Sequence, residues 1–473
     1  MFKPRFLSLV AFAALILPAT LFADIRLPSL LTDNMVLQRN TRVTLWGWSE
    51  PNEQVVITTS WNNRTDTVRA NGDAKWSLSL QTPGAGGPYT IVFKGDNTIT
   101  LNNVMLGEVW VCSGQSNMEW GGFKGLKEIE QELPVSANNN LRFFHVPKTT
   151  SDYPQDNCPG SWKVSGPSTL NNFSAVAYFF GKQLSEKLNV PVGLIHSSWG
   201  GTPAETWTPE GTVAGDEVLR KAALKLEEKS WWPTKPGKAF NAMIAPLLRY
   251  PIAGAIWYQG ESNTEAYDSY QQLLTAMISR WRELWNHEFP FYYVQIAPYV
   301  YENKNIGALL REAQSNVQAH PKTGMVVVTD LVDDIKDIHP TQKRAVGQRL
   351  ANYALAETYG QQGIVYRSPA FKSMRVSKNK AEIIFDYADN GLILKGGKAT
   401  EWFIAGPDKQ FYPAEVSIKK NIVTVSSPRV TAPEAVRFGF SNEAMPNLFS
   451  KEGLPAAPFR TDAWTMDTGK SNQ

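Results

Sequence analysis

Hydrophobic and polar residues alternate in short runs over residues 24–104, a pattern that is typical of β-strands. Clear runs of this kind occupy residues 42–48, 54–58 and 89–93. Stretches rich in glycine, asparagine or proline separate them, and no helical periodicity interrupts the series. We therefore predict a small β-sandwich without a catalytic constellation, that is, a packing or sugar-facing accessory domain.

The pattern changes after residue 106, where short apolar runs alternate with longer stretches of helical periodicity. The long stretches predict helices at residues 174–188, 239–248, 267–285, 308–319 and 341–359. The short runs predict buried strands at residues 109–112, 191–196, 252–258, 291–296 and 325–329. Such alternation is typical of an α/β domain in which helices cover a parallel sheet.

Antiparallel β patterning returns in the last part of the chain and predicts a second β domain. The chain thus divides into an N-terminal β domain over residues 24–105, a catalytic α/β domain over 106–360 and a C-terminal β domain over 361–473. Residues 133–172 and 213–236 do not fit the α/β alternation. Both stretches are long and polar or rich in tryptophan, and we interpret them as functional or mobile loops over the sheet.

The N-terminal residues 1–23 have the composition of a secretory signal peptide. Lys3 and Arg5 precede an apolar run, and Ala23 supplies a small residue at a cleavage point before Asp24. The run is too short to span a membrane comfortably, and no other segment has the required length. We expect a secreted or periplasmic protein with no integral membrane segment after signal cleavage.

Charge and composition narrow the class of ligand. Residues 1–23 contain two cations and no acid, so the remaining chain has 47 − 2 = 45 basic against 44 acidic residues, a formal charge of +1. This balance gives no indication of nucleic-acid binding. Charged residues are 19% of the chain and tryptophan contributes 16 residues, a composition that suits neutral or weakly charged ligands such as sugars.

The cysteine content predicts neither a disulfide scaffold nor a zinc site. Cys112 and Cys158 are the two cysteines of the chain, and an oxidising compartment would permit a disulfide between them. Cys112 lies inside a predicted strand, where we favour a buried free thiol. No cysteine–histidine spacing resembles a zinc site, and we expect no metal and no cofactor.

Polar motifs follow the carboxyl ends of several predicted strands. These motifs contain Ser116, Gly200 with Gly201, Gln259 with Gly260, and Asp337 with His339. The carboxyl ends of parallel strands meet at one edge of an open α/β sheet, where ligands bind. A Ser–Gly turn precedes Ser116 and would present its hydroxyl at that edge. This shared placement favours a nucleophilic role for Ser116.

The residue types at these strand ends match the needs of ester hydrolysis. A serine hydroxyl becomes a nucleophile when a base removes its proton, and His339 is the candidate base. Asp337 would hold the imidazole tautomer and stabilise its charge. A tetrahedral oxyanion needs fixed donors, each contributing on the order of 3 kcal/mol. The candidate donors are the backbone N–H groups of Ser116 and Gly200 and the side-chain amide of Gln259.

Other polar residues fit this chemistry less well. We interpret His145, in a short predicted strand over residues 142–146, His287 and His320 as structural, and His196 as a core residue or a support behind the crevice. Glu261 could serve as the acid of a glycosidase, but no partner carboxylate follows another strand end.

The motifs resemble those of the SGNH hydrolases, and specifically the sialate O-acetylesterase family of carbohydrate deacetylases. The matching stretches are residues 107–111, 114–120, 198–202, 257–263 and 337–340, with further matches at 447–449, 453–455 and 458–462. The resemblance covers nearly all of the chain after residue 23. It implies a flavodoxin-like three-layer catalytic domain, acetyl-ester hydrolysis without a metal, and Ser116 with His339 as the reactive pair.

The sequence departs from the superfamily pattern at two positions. The acid that the superfamily places three residues before the histidine is Lys336 here, so Asp337 must serve from two residues away, with Asp334 as the alternative. The usual oxyanion asparagine is missing in its simple Gly-x-Asn-Asp form; Gln259 is the candidate donor and Asn263 the alternative. The chain also lacks a Gly-x-Ser-x-Gly motif, which argues against an α/β-hydrolase elbow.

We therefore predict a secreted carbohydrate O-acetylesterase whose partner is an O-acetylated carbohydrate, in the first place O-acetylated sialic acid. Deacetylation of a polysaccharide such as xylan is the alternative with the same chemistry. A non-catalytic sugar-binding protein with the same fold is the alternative of another class, and the intact Ser116 and His339 argue against it. The sequence leaves the sugar, the acetyl position and the oligomeric state open.

Overall fold

The structure, a computed structural model, describes residues 24–470, and the predicted signal peptide over residues 1–23 lies outside the described residues. The N-terminal region consists of β-strands, as its alternating pattern predicts. In chain order these strands are β1 (Val36–Gln38), β2 (Arg42–Trp48), β3 (Gln54–Thr59), β4 (Arg64–Arg69), β5 (Lys75–Gln81) and β6 (Gly86–Lys94). β2 pairs with β5, and β3 pairs with β4 and β6, in each case antiparallel. That this region is a sandwich-type domain stays a prediction.

The central sheet has the parallel strands that the α/β pattern predicts. Its strands are β7 (Thr98–Gly114), β8 (Asn138–His145), β9 (Trp162–Ser165), β10 (Val192–Ser198), β11 (Gly254–Tyr258), β12 (Phe291–Val294) and β13 (Thr323–Val326). The spatial order is β13-β12-β11-β7-β10-β8-β9, and neighbours are parallel except β8 with β9. β7 also pairs with β1 and β6 through its N-terminal part. The domain boundary predicted between residues 105 and 106 therefore falls inside one continuous strand.

Helices follow the strands at most of the predicted places. They are α1 (Ser116–Glu119), α2 (Lys127–Glu132), α3 (Pro167–Leu170), α4 (Ala175–Leu188), α5 (Glu210–Ala214), α6 (Glu217–Ala223), α7 (Tyr267–Trp285), α8 (Ile306–Val317) and α9 (Lys343–Tyr353). The helix predicted at residues 239–248 is instead a π-helical turn over Phe240–Ile244 and a 3-10 turn over Ala245–Leu247. Pro246 explains the break, since proline supplies no N–H for a regular helix.

The central strands are buried on both faces, because successive residues of a strand point to opposite sides of the sheet. Trp110 and Cys112 of β7 belong to the core that α4 and α9 cover. Val109 and Val111 belong to the opposite core, to which α7 and α8 contribute. With both faces covered, the carboxyl ends of the strands are left as the place where a ligand can reach the sheet.

The prediction that residues 133–172 form a loop over the sheet is wrong, because this segment contributes β8, β9 and α3. β8 begins with polar asparagines and becomes buried from Leu141 to Phe144, a part that overlaps the short strand predicted at residues 142–146. The structure of residues 213–236 is closer to the loop that the sequence predicts. They contain α6, and from residue 224 to 236 the chain has neither helix nor strand.

The C-terminal region consists of antiparallel strands, as predicted. In chain order they are β14 (Ala370–Ser377), β15 (Lys380–Asp386), β16 (Leu392–Leu394), β17 (Trp402–Ala405), β18 (Phe411–Pro413), β19 (Glu415–Lys419), β20 (Ile422–Ser426), β21 (Ala435–Phe438), β22 (Leu448–Ser450) and β23 (Phe459–Arg460). The sheets β14-β15-β20-β19 and β18-β17-β21-β23 share one apolar core. Arg460 pairs with Glu312 of α8 at 2.7 Å, which links this region to the α/β region.

Both cysteines are buried free thiols, as favoured for Cys112. Burial raises the pKa of each thiol, that of Cys158 to about 12. Across residues 24–470 the structure contains no helix that is long and apolar enough to cross a membrane.

Candidate active site

Ser116 is placed at the carboxyl edge of the central sheet by a sharp turn at the end of β7. Gly114 has a φ of 136°, and a Cβ at this position would lie 2.2 Å from the carbonyl oxygen of Tyr258 in β11. Glycine is therefore required there. The Gln115 N–H donates to the same carbonyl at 2.9 Å, and Ser116 then begins α1. This geometry presents the serine hydroxyl at the end of the strand.

His339 lies against Ser116, although the two residues are 223 positions apart in the chain. Its Nε2 is 2.9 Å from Ser116 Oγ, and its ring stacks on Trp120 with centroids 4.1 Å apart and planes at 19°. Burial lowers the pKa of His339, and the charge of Lys343 lowers it further, whereas Asp337 acts in the opposite direction. At neutral pH the imidazole is therefore a neutral base beside the hydroxyl.

The carboxylate of Asp337, rather than that of Asp334, faces the His339 ring. Asp337 Oδ1 lies 3.4 Å from His339 Nδ1 and accepts the backbone N–H of His339 at 2.9 Å. Asp334 Oδ1 instead accepts the N–H of Lys336 at 2.9 Å. The Asp337 side chain is 55% exposed, so solvent screens its charge. The contact with the ring is loose, as the spacing of two residues predicts.

The backbone of Gly200 lies on the other side of Ser116. A Cβ on Gly200 would be 3.3 Å from Ser116 Cβ. The Gly200 N–H donates to Glu119 Oε2 at 2.6 Å, and Oε1 of the same carboxylate accepts from Lys148 Nζ at 2.5 Å. The Ser116 N–H, by contrast, has no acceptor within residues 24–470. Gly200 thus lies beside Ser116, but an internal carboxylate occupies its N–H.

The side-chain amide of Gln259, the expected oxyanion donor, belongs to a buried network. Its Nε2 donates to Asn263 Oδ1 at 2.7 Å and to the Thr202 carbonyl at 3.3 Å. The alternative donor, Asn263, is equally buried, and its Nδ2 donates to Glu205 at 2.9 Å. Both amides connect the loop after β10 to the end of β11. In the structure both amides therefore donate to partners inside the protein.

A polar cluster that the sequence analysis missed lies behind the reactive pair. It consists of Asn117, Glu261 and Lys343, which are 0%, 8% and 1% exposed. Asn117 Oδ1 accepts from Lys343 Nζ at 2.6 Å, and Asn117 Nδ2 donates to Glu261 Oε1 at 2.7 Å and to the Ile338 carbonyl at 3.0 Å. Burial lowers the pKa of Lys343 to about 7 and raises that of Glu261. The cluster joins the residue after Ser116 to the residue before His339.

The sequence did contain a signal for part of this cluster. Asn117 and Glu261 lie in stretches that carry the family resemblance, so a role beside the reactive pair could have been inferred for both. Lys343 offered no such signal, because a lysine at the start of a helix is normally exposed to solvent.

A second serine–histidine contact exists at the end of β10 but is closed to substrate. His196 Nε2 lies 2.5 Å from Ser198 Oγ, and His196 Nδ1 lies 3.1 Å from His145 Nδ1. His196 and Ser198 are only 1% and 2% exposed. Burial places the pKa of His196 well below its ordinary value. This arrangement agrees with a supporting role for His196 and leaves Ser116 as the accessible serine of the two.

Comparison with known proteins supplies an independent line of argument. The family model described as carbohydrate esterase, sialic acid-specific acetylesterase, matches residues 106–356. The sialate O-acetylesterase of Pongo abelii is 27% identical over 510 residues, which cover 96% of this chain and 97% of that protein. The sialate O-acetylesterase of Homo sapiens is 28% identical over 418 residues, which cover 79% of this chain and 80% of that protein.

A solved structure extends the similarity to the whole fold. The crystal structure of a carbohydrate acetylesterase from Xanthomonas citri is 37% identical and superimposes with a TM-score of 0.85. The match covers 93% of this chain and 100% of that chain.

Proposed function

Because this chain belongs to the sialic acid-specific acetylesterase family of carbohydrate esterases and is thus a carboxylic-ester hydrolase, we propose that it is a secreted enzyme that removes O-acetyl groups from sialic acids. The observation that carries the chemistry is the 2.9 Å contact between Ser116 Oγ and His339 Nε2 at the carboxyl edge of the central sheet. Ser116 is the nucleophile, and His339 is the general base and acid.

The reaction proceeds in two halves through an acetyl-enzyme. Ser116 Oγ attacks the acetyl carbonyl carbon while its proton moves to His339 Nε2, and a tetrahedral oxyanion forms. Collapse of this intermediate breaks the bond to the sugar oxygen, which takes the proton from His339. A water molecule then attacks the acetyl-serine with His339 again as the base. Acetate leaves, and Ser116 recovers its proton.

The oxyanion is stabilised by the backbone N–H groups of Ser116 and Gly200. The Ser116 N–H is available as it stands. The Gly200 N–H is held by Glu119 at 2.6 Å, so substrate must displace this carboxylate, which the ion pair with Lys148 keeps close by. Such donors act most strongly where water is excluded. Asp337 holds the Nδ1 side of His339 loosely, and the resulting orientation is weaker than in a tight triad.

Lys124 is the feature of the site that favours sialic acid among acetylated sugars. Its Nζ lies 5.6 Å from the centroid of the Trp120 ring, the ring on which His339 stacks. Lys124 is exposed and has no ion pair within residues 24–470, in contrast to Lys148 beside Glu119. A sialic acid carries a carboxylate, and an unpaired ammonium attracts it.

Deacetylation of a neutral polysaccharide is the second candidate function. A tryptophan-lined cavity next to Gly201 favours it, because its lysines are all paired with acids and its walls suit uncharged sugar rings. The two candidates share Ser116 and His339 and differ in the substrate.

Acetate release from O-acetylated sialoglycans, measured beside acetylated xylan, tests the proposal. We expect the sialoglycans to be hydrolysed with the higher kcat/KM and the activity to depend on Ser116. Faster hydrolysis of xylan would favour polysaccharide deacetylation instead. Failure to hydrolyse either substrate or a simple aryl acetate would favour a sugar-binding protein.

A further inference from the structure

The segment over residues 213–236 brings tryptophan rings close to Gly201, the residue that follows Gly200 beside Ser116. A Cβ on Gly200 would lie 3.3 Å from Ser116 Cβ, and the next residue, Gly201, has a φ of 82°. A Cβ on Gly201 would lie 2.4 Å from the ring of Trp232, so the glycine lets that ring approach the backbone. Trp199 Nε1 donates to the Trp231 carbonyl at 3.2 Å, which fixes the segment beside β10.

These rings line a cavity of about 380 Å³, within the range of ligand sites, roughly 300–1,000 Å³. Trp199, Trp231 and Trp232 form its aromatic wall. Trp231 is 78% exposed and lies in one patch with the other two rings, and a contiguous apolar patch at the surface is a common sign of a binding site. The neighbouring Trp232 is partly buried against Gly201.

The charges around the cavity are compensated within the protein. The lysines that line it are paired with acids: Lys229 with Glu227, Lys235 with Glu228, and Lys238 with Asp152. An anionic ligand would have to break these pairs. A neutral sugar ring would not, because its C–H face packs on an aromatic ring while its hydroxyl groups bond to the polar rim.

We propose that this cavity is a subsite for a neutral pyranose unit, the neighbour of the acetylated sugar in a glycan chain. The proposal rests on the function proposed above and specifies its substrate: a chain-linked acetylated sugar is preferred over the free monosaccharide. The acetylated unit occupies the edge of the sheet at Ser116, and the adjoining unit stacks on Trp231.

The test compares each acetylated sugar with and without its neighbour. The pairs are acetylated xylohexaose against acetylated xylose, and O-acetylated sialyllactose against free O-acetylated sialic acid. In Trp231→Ala we expect the kcat/KM ratio of chain to monosaccharide to fall by about tenfold, as for truncation of a tryptophan anchor. Trp231→Phe keeps an aromatic face and should retain most of the ratio. Tyr387→Ala, which removes a 45% exposed aromatic of the C-terminal region, is the matched control and should leave the ratio unaltered.

A binding measurement separates failure of the subsite from failure of the proposed function. Ser116→Ala is titrated calorimetrically with unacetylated xylohexaose, with and without Trp231→Ala. Weaker binding in the double variant supports the subsite, whatever the wild-type enzyme hydrolyses. If the wild-type enzyme hydrolyses no acetylated sugar, that result overturns only the proposed function. An unchanged ratio in Trp231→Ala, or equal binding by both Ser116→Ala proteins, would overturn the subsite.

Discussion

The reactive pair and the polar cluster behind it are built in opposite ways. His339 is 23% exposed at its side chain and reaches Ser116 through one contact of 2.9 Å. Asn117, in the cluster, is fully buried and uses its amide on Lys343, Glu261 and the Ile338 carbonyl. The pair needs access to substrate and a proton that can move. The cluster supplies the fixed frame that such an exposed pair lacks.

This difference indicates that the reactive pair carries the chemistry of the site and that the polar cluster carries the positioning. A tight triad would position the histidine through its carboxylate, but Asp337 is half-exposed and lies 3.4 Å from the ring. Asn117 instead holds the backbone directly before His339. We therefore expect substitutions in the pair to affect catalysis alone, and substitutions in the cluster to affect folding as well.

The largest effect on activity is expected for Ser116→Ala and His339→Ala. Each should reduce kcat by about 10⁴-fold or more, since members of a nucleophile–base unit fail together. The folding midpoint in urea should stay near wild type, because both side chains reach the surface. Acetate release and urea unfolding measured on the same samples check this. A loss of activity below tenfold with intact folding would move the nucleophile elsewhere.

Asn117→Leu should have the largest effect on stability. It leaves the Lys343 ammonium and the Glu261 carboxyl buried without their partner, a cost of about 1–3 kcal/mol in the free energy of unfolding for each unsatisfied group. Activity should fall as well, because the His339 loop loses its anchor. Asn139→Leu, at an exposed position of β8, is the matched control and should stay within about 0.5 kcal/mol. Equal unfolding curves for the two variants would show that the cluster is not a frame.

Asp337→Asn tests the loose contact between the Asp337 carboxylate and the His339 ring. We expect a loss of kcat on the order of tenfold to a hundredfold, less than for Ser116→Ala, because solvent already screens the carboxylate. Asp334→Asn should stay within about twofold, since Asp334 bonds Lys336 in its own turn. A crippled Asp334→Asn beside a fully active Asp337→Asn would reverse the assignment of the acid.

Lys124→Gln should act on the substrate rather than on the chemistry. We expect KM for an O-acetylated sialic acid to rise about two- to fivefold, the size of an exposed ion pair, with little change in kcat. Acetylated xylan, which lacks the carboxylate, should show no such rise. Lys163→Gln removes an exposed lysine of β9 and serves as control. An equal rise in KM for both substrates would remove Lys124 as a specificity residue.

Strand ends could be predicted from the sequence, but the directions of side chains at those ends could not. Ser116, Gly200 and His339 do meet, because parallel strands bring their carboxyl ends to one edge. Gln259 lies at the expected strand end, yet its amide turns into the protein toward Asn263. A strand pattern fixes which face a residue occupies, but the loop after the strand decides where a terminal side chain finds its bonds.

The burial of polar side chains could not be predicted from the sequence either. Lys343 occupies the first turn of α9, where its charge would usually face solvent, and its burial follows from long-range contact with Asn117. The place of β8 in the central sheet was hidden for a related reason, since its apolar part is short and only the neighbouring β10 makes it a central strand. Both features depend on partners distant in the chain, which local periodicity does not report.

The smallest effect is expected in the pH profile, because the groups around His339 shift its pKa in opposite directions. Burial and Lys343 lower the pKa of His339, whereas Asp337 raises it. A general base works in its neutral form, so activity is present above this pKa and is lost as the pH falls through it. The acid limb of kcat/KM should therefore have a midpoint below about 6.5, the ordinary value for histidine.

Asp337→Asn removes the contribution that raises the pKa of His339, so the acid limb of this variant should lie at lower pH than that of the wild type. The shift should be less than about one pH unit, because the Asp337 carboxylate is half-exposed. The two profiles, measured on a neutral aryl acetate, give the sign directly. A limb that moved upward would mean that Asp337 is not the carboxylate acting on His339, and full activity retained to about pH 4 would exclude a histidine base.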